Sequence, residues 1–352
     1  MIDDALKLTA YFGESDRVGR RLLSDVLLDL FERHEMQAAV LLRGVEGFGS
    51  AQSLRTDRFL TLSEDLPLVA VAVDERARVE ELLPSVTALV TGGLVTVERV
   101  RLLHDGLDAV RLPDELHEAT KLTLYLGRDE RVAGRPAFVA AVECLRDAGA
   151  DGATVLLGVD GMAHRRRRRA RFVARNDDVP LLIVSIGSGE AAVRALPGLA
   201  AMLTEPVATL ERVRVCKRDG GLLARPVEPA PGGAAVWQKL TVVAGEQARS
   251  GGHPLSVELV RRLRADGGRG ATSLRGVFGF SGDHAPHGDR LFRVRRRVPV
   301  LTTIVDSPER ARRCFDVVDA VTAEAGLVTS EIVPVAHVRS PPEEGRVEPP
   351  AP

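Results

Sequence analysis

Glycine and arginine recur in this sequence where they could hold an anion. Gly47 and Gly49, and again Gly279 and Gly282, stand where an apolar run gives way to a polar segment. Glycines at such a turn let main-chain N–H groups converge on a concavity, which suits phosphate or another anion. A plain turn that needs positive φ has the same composition, so the glycines alone leave both readings open. A third segment of this kind has Gly161 followed by Met162-Ala163 and lacks the second glycine, so a site there would be altered. Arg58, Arg171 and Arg290 mark the far end of the three segments, each followed by Phe or Leu. A guanidinium there can clamp a phosphate through two hydrogen bonds, or pair with an acidic side chain on a nearby helix.

Arg165, Arg166, Arg167, Arg168 and Arg169 are consecutive. Such a run repels itself and reads as a solvated, mobile loop that could contact an acidic partner. No aromatic residue is interleaved, which disfavours base stacking and hence nucleic acid. His284 and His287, with Asp283 and Asp289, have metal-ligating side chains at short spacing, and His253 lies upstream. The other segments carry nothing equivalent, so they read as a polar loop and no metal site is assigned. No Ser-His-Asp set, Walker loop, H-E-x-x-H helix or repeated carboxylate pair is present, so the chain does not read as an enzyme.

The elements that position these residues repeat three times. Lys7-Leu8-Thr9 recurs as Lys121-Leu122-Thr123 and Lys239-Leu240-Thr241, at shifts of 114 and 118. The same shifts carry Gly44 onto Gly158 and Gly276, and Gly47 onto Gly161 and Gly279. Pro67 falls on Pro180 and Pro299, and Glu98 on Glu211 and Glu331, at nearly the same spacing. Each copy reads β-α-β-β-α-β, the ferredoxin-like order, with Pro84 expected to kink or break the second helix of copy one. The third strands are apolar on both faces, as in Leu68 to Val73, so helices must cover one face and the other copies the second. The expected organisation is residues 1–103, a linker over 104–119, residues 120–216, a Pro/Gly-rich linker over 217–236, residues 237–338, and a disordered tail over 339–352.

Composition narrows the class. Of 352 residues 45% are apolar and only 4% aromatic, so the cores must be Leu, Val and Ala. The formal net charge of -1 gives no overall field toward nucleic acid or membranes. Cys144, Cys216 and Cys314 are far apart; Cys144 and Cys314 lie in helix patterns and read as buried small hydrophobes, and Cys216 closes a strand pattern. No apolar run approaches the roughly 18 residues of a membrane span, and MIDDALKLTA does not read as a signal peptide. A cytoplasmic protein is expected.

Val45-Glu46-Gly47-Phe48-Gly49 followed by Leu66-Pro67-Leu68-Val69 resembles PII signal-transduction proteins. The Lys-Leu-Thr strand, the Gly-Glu-Ser-Asp-Arg after it and Ser-Glu-Asp-Leu-Pro are more similar to an uncharacterised bacterial PII-like family, the domain of unknown function numbered one-ninety. The resemblance covers residues 7–101, 121–214 and 239–335. It implies an α/β (α+β) fold of three tandem ferredoxin-like βαββαβ units forming an intramolecular PII-like pseudo-trimer, hence a monomer in solution. It also implies a regulatory or sensor role, with an adenine nucleotide or small anion in clefts between units. On that reading Gly47, Gly49, Arg58, Gly161, Arg171, Gly279, Gly282 and Arg290 bind the ligand. Arg165 to Arg169 contact a protein partner, such as a membrane transporter. One departure stands out: PII proteins carry a phosphate-binding lysine in the turn entering the last strand, where this chain has Thr91-Gly92-Gly93-Leu94-Val95. A triphosphate is therefore less expected than a smaller ligand. The alternative is a non-enzymatic interaction module docking an acidic partner through the arginine-rich segments.

Overall fold

The computed structural model describes residues 2–49, 54–56, 65–104, 107, 119–163, 166–169, 179–227, 236–281, 287–288 and 298–338. Strands of three or more residues are β1 (Ile2–Gly13), β2 (Ala38–Arg43), β3 (Glu46–Phe48), β4 (Leu54–Thr56), β5 (Pro67–Glu75) and β6 (Leu94–Leu103) in copy one. Copy two contributes β7 (Thr120–Gly127), β8 (Gly152–Ala163), β9 (Arg166–Arg169), β10 (Pro180–Gly187), β11 (Val207–Arg212) and β12 (Arg214–Arg218). Copy three contributes β13 (Val236–Gly245), β14 (Ala271–Arg275), β15 (Phe278–Ser281), β16 (Pro299–Asp306) and β17 (Leu327–Val338). The helices, two per copy, are α1 (Leu23–Arg33), α2 (Arg76–Leu89), α3 (Ala137–Asp147), α4 (Gly189–Met202), α5 (Leu255–Ala265) and α6 (Pro308–Val321).

The helices follow from apolar spacing. In α1, Leu23, Leu27, Leu28, Leu30 and Phe31 are buried on one stripe and pack against Leu8, Ala10 and Ala70 of the sheet. Ser188 caps α4 by accepting a hydrogen bond from the Ala191 N–H. α2 runs unbroken through Pro84 to Leu89, so the proline expected to kink or break it does not end it.

β5 shows how both sheet faces are used. Leu68, Ala70 and Ala72 join the core beneath α1 and α2. Val69, Val71 and Val73 join a second core with Leu156 and Leu182 of copy two and Leu274 and Leu301 of copy three. Leu68 to Val73 are all apolar because neither face of this part of the strand meets water.

The expected fold class needs correction. The copies are not ferredoxin-like units, each with its own sheet, meeting as a PII-like pseudo-trimer. Among the described residues nineteen strands form one sheet, and an eight-stranded antiparallel ring closes within it. That ring runs β2-β5-β1-β6 through copy one, then β11-β7-β10-β8 through copy two, and returns from β8 to β2. Copy three joins through β17 on β6, β15 on β8 and β14 on β3.

The cause lies in the second strands. β8 pairs with β10 from Gly152 to Leu157; an irregularity at Gly158–Asp160 then turns it onto β2 of copy one. In copy one β2 stays on β5, while β3 crosses to β14. An exposed strand edge would leave N–H and C=O groups unpaired, and pairing across copies removes such edges. β12 runs into residues read as linker from the sequence and pairs with β17.

Candidate functional site

A cavity of about 150 Å³ opens between copies one and three. Copy one supplies Tyr11, Phe12 and Gly13 at the end of β1, Asp16 after it, Phe48 and Gly49 at the end of β3, and the Gly92-Gly93 turn entering β6. Copy three supplies Trp237 on β13, Arg269 and Gly270 before β14, and Thr303 and Val305 on β16.

The chain's one tryptophan, Trp237, lies under the Arg269 guanidinium, whose central carbon is 5.0 Å from the ring centroid. Asp306 accepts a 2.8 Å hydrogen bond from the Arg269 N–H and thereby anchors that turn. Burial pushes the Asp306 carboxyl up, against the pull of this bond. Asp16 accepts a 3.0 Å hydrogen bond from the Gly13 N–H, bracing the opposite wall. By the repeat shifts, Trp237 replaces Ala5 and Ala119, and Arg269 replaces Gln37 and Asp151. Copies one and two therefore lack this aromatic and cationic pair.

The repeated glycines are placed by packing. A Cβ on Gly47 would lie 2.5 Å from the Ala271 carbonyl, on Gly161 2.3 Å from that of Ala39, and on Gly279 2.1 Å from that of Ala153. Each contact is with the next copy, where two backbones cross. Gly49 differs: nothing lies within 4 Å of its missing Cβ, and it faces the cavity.

A second cluster sits where all three copies meet. Lys7 pairs with Glu98 at 2.8 Å and with Glu211; Lys121 pairs with Glu211 at 3.0 Å and Glu331 at 2.5 Å; Lys239 pairs with Glu331 at 3.1 Å and Glu98 at 2.5 Å. The six charges alternate in a closed ring, with only 4–9% of each side chain exposed. Burial lowers the pKa of each lysine, yet Glu211, Glu98 and Glu331 raise Lys7 well above its ordinary value, and Glu331 and Glu98 raise Lys239. At Lys121 burial wins over Glu211 and Glu331, and the value falls. Burial opposes ionisation of Glu98 and Glu331 too, but the facing lysines hold both below the usual carboxylate range.

The family model described as DUF190, Uncharacterized ACR, COG1993, matches residues 5–102, 119–215 and 237–335. The chain belongs to the DUF190 family. A UPF0166 protein of Aquifex aeolicus (strain VF5) is 27% identical over 99 residues, which span 28% of this chain and 92% of that protein. That relative is thus one copy long, and this DUF190 chain carries three. A solved structure titled as a crystal structure study of an anthrone oxidase-like protein aligns over 59% of this chain and 90% of its own, at 13% identity and a TM-score of 0.17. At that score it carries no argument about fold or function.

Of the ligand-binding residues expected from this DUF190 sequence, Gly49 lines the cleft and Gly47, Gly161 and Gly279 lie at strand crossings. Arg58, Arg171, Gly282 and Arg290 lie outside the described residues, as do Arg165 and His284. Arg166–Arg169, read as a loop, has strand backbone paired with Asp160–Ala163. His253 is exposed. Cys144 on α3, Cys314 on α6 and Cys216 on β12 are free, and burial pushes Cys216 and Cys314 up to about 12. Sequence reasoning missed Trp237, Arg269 and the charged ring. The signal for the ring was present: Lys7 and Glu98 recur in all three copies.

Proposed function

We propose that this DUF190 chain is a non-enzymatic regulatory protein that binds a small anionic ligand, such as an adenine nucleotide, between copies one and three. The observation that carries the reading is the Trp237–Arg269 pair in the wall of an open cavity whose other side is the glycine turns of copy one. The indole offers a face for a planar ring, the guanidinium offers charge and hydrogen bonds, and Gly49, with open space beside its Cα, leaves room for close approach of a ligand. The turn has no lysine, which favours a ligand with less charge than a triphosphate. Because copies one and two have Ala and Gln or Asp at the equivalent positions, binding at about one site per chain is expected. Calorimetric titration with AMP, ADP, ATP, cyclic nucleotides and inorganic phosphate tests this. Arg269→Ala should weaken binding by roughly 1.5–3 kcal/mol, the range for hydrogen bonds to a charged group. No heat with any of them, or binding unchanged in Arg269→Ala, would reject the cleft and favour an interaction module.

A further inference from the structure

Beneath the cleft, at the junction of the three copies, lies a second cavity of about 90 Å³. Lys7, Lys121 and Lys239 line it, whereas their partners Glu98, Glu211 and Glu331 do not. The cavity therefore meets the ring from its cationic side. Thr9, Thr123 and Thr241, two residues further along the same strands, form the next layer, and Leu42, Leu156 and Leu274 supply apolar wall.

The lysine donors point to a guest. Each ammonium has three N–H donors, and the ring engages each lysine with two carboxylates, leaving one donor per lysine for another acceptor. Tyr125 also lines this cavity and is 1% exposed, and the hydroxyl it bonds to is that of Thr209. Buried polar groups in folded proteins nearly always have partners, so donors converging on one cavity imply something that accepts from them.

We propose that this axial cavity binds a small inorganic anion, of the size of chloride, bromide or nitrate, on the free donors of Lys7, Lys121 and Lys239. A cation is excluded by three ammonium groups with no carboxylate between them and the guest. An anion there sits across the ammonium layer from the glutamates, so it is attracted by the near charges more than it is repelled by the far ones. The volume holds a few heavy atoms and no organic phosphate. Tyr11, Thr272 and Thr303 line both this cavity and the cleft above, so entry runs through the cleft between copies one and three.

Crystals of the full chain grown in sodium bromide, with diffraction collected at the bromine edge, test the proposal. An anomalous peak within hydrogen-bond reach of the three lysine Nζ atoms is expected. Density without anomalous signal at that position means water only and overturns the proposal, as does bromide found only on the surface, an adventitious ion only. In solution, millimolar bromide or nitrate at ionic strength fixed with gluconate should raise the melting temperature saturably by a few degrees. Thr123→Leu, which fills the cavity and leaves the ring intact, should abolish that rise. An equal rise in the filled variant would overturn the proposal; if that variant does not fold, the anomalous map of the parent decides.

Discussion

The Nζ of Lys239 lies 2.5 Å from a carboxylate oxygen of Glu98, although 141 positions separate them in the chain. The contact joins copy three to copy one, and its counterparts join copy one to copy two and copy two to copy three. Removing one member leaves the others with an uncompensated buried charge. Lys239→Met is therefore expected to cost about 3–5 kcal/mol. Replacing all six residues together by apolar ones of similar volume should be neutral or stabilising by about 1–4 kcal/mol, because desolvation of the ions is then avoided. Urea denaturation of the two variants against the parent measures both numbers.

The ring also sets a pH dependence. Glu98 and Glu331 have folded values below the ordinary 4.5, so their stabilisation is complete above that value and lost as pH falls through the folded ones. Lys7 and Lys239 have folded values above the ordinary 10.5, so their contribution is full below it and lost as pH rises through the folded values. Lys121 runs the other way: its charged form costs stability, and the cost is relieved as pH rises past its lowered value. Denaturation midpoints should be level from about pH 5 up to the lowered value of Lys121, rise from there toward 10.5, and fall on the acid side. Glu98→Gln should flatten the acid limb; a limb as steep as the parent's would place its origin elsewhere.

Gly47, Gly161 and Gly279 are expected to resist substitution while Gly49 does not. Alanine at any of the first three would drive a Cβ onto a backbone carbonyl of the next copy, which overpacking data put at about 1–3 kcal/mol. Gly161 and Gly279 also have φ of 154° and 150°, which adds strain. Gly49→Ala meets open space and should change stability by less than about 0.5 kcal/mol. Thermal melts of the four variants distinguish crossing points from cavity lining.

Pairing of strand edges across copies predicts a monomer. The second and last strands of every copy find partners in the other two copies, which leaves no such edge among the described residues for a second chain. Light scattering should give a mass near 37.9 kDa. A stable trimer of three chains would contradict this.

The three copies were legible in the sequence because Lys-Leu-Thr, the paired glycines and the prolines recur at nearly constant shifts. The two-sided burial of β5 was legible because Leu68 to Val73 contains no polar residue. The closed ring of strands was not, since a bend such as that at Gly158–Asp160 carries a strand from one partner strand to another without changing its apolar pattern. Gly47, Gly161 and Gly279 were read as turn glycines, and a glycine chosen for close approach of two backbones has the same letter as one chosen for positive φ. Trp237 and Arg269 carried no signal because they occur in one copy only, while repetition was the guide to importance.

The cleft between copies one and three is the central claim, and Trp237 is its own reporter because no other tryptophan emits. Titration of the full chain with ADP, followed by tryptophan emission, is expected to give a saturable change that fits one site. The change should vanish in Gly49→Val, which narrows the cavity from a position with space for the side chain. Emission that stays constant while calorimetry records nucleotide binding would place the ligand in another cleft and contradict the account.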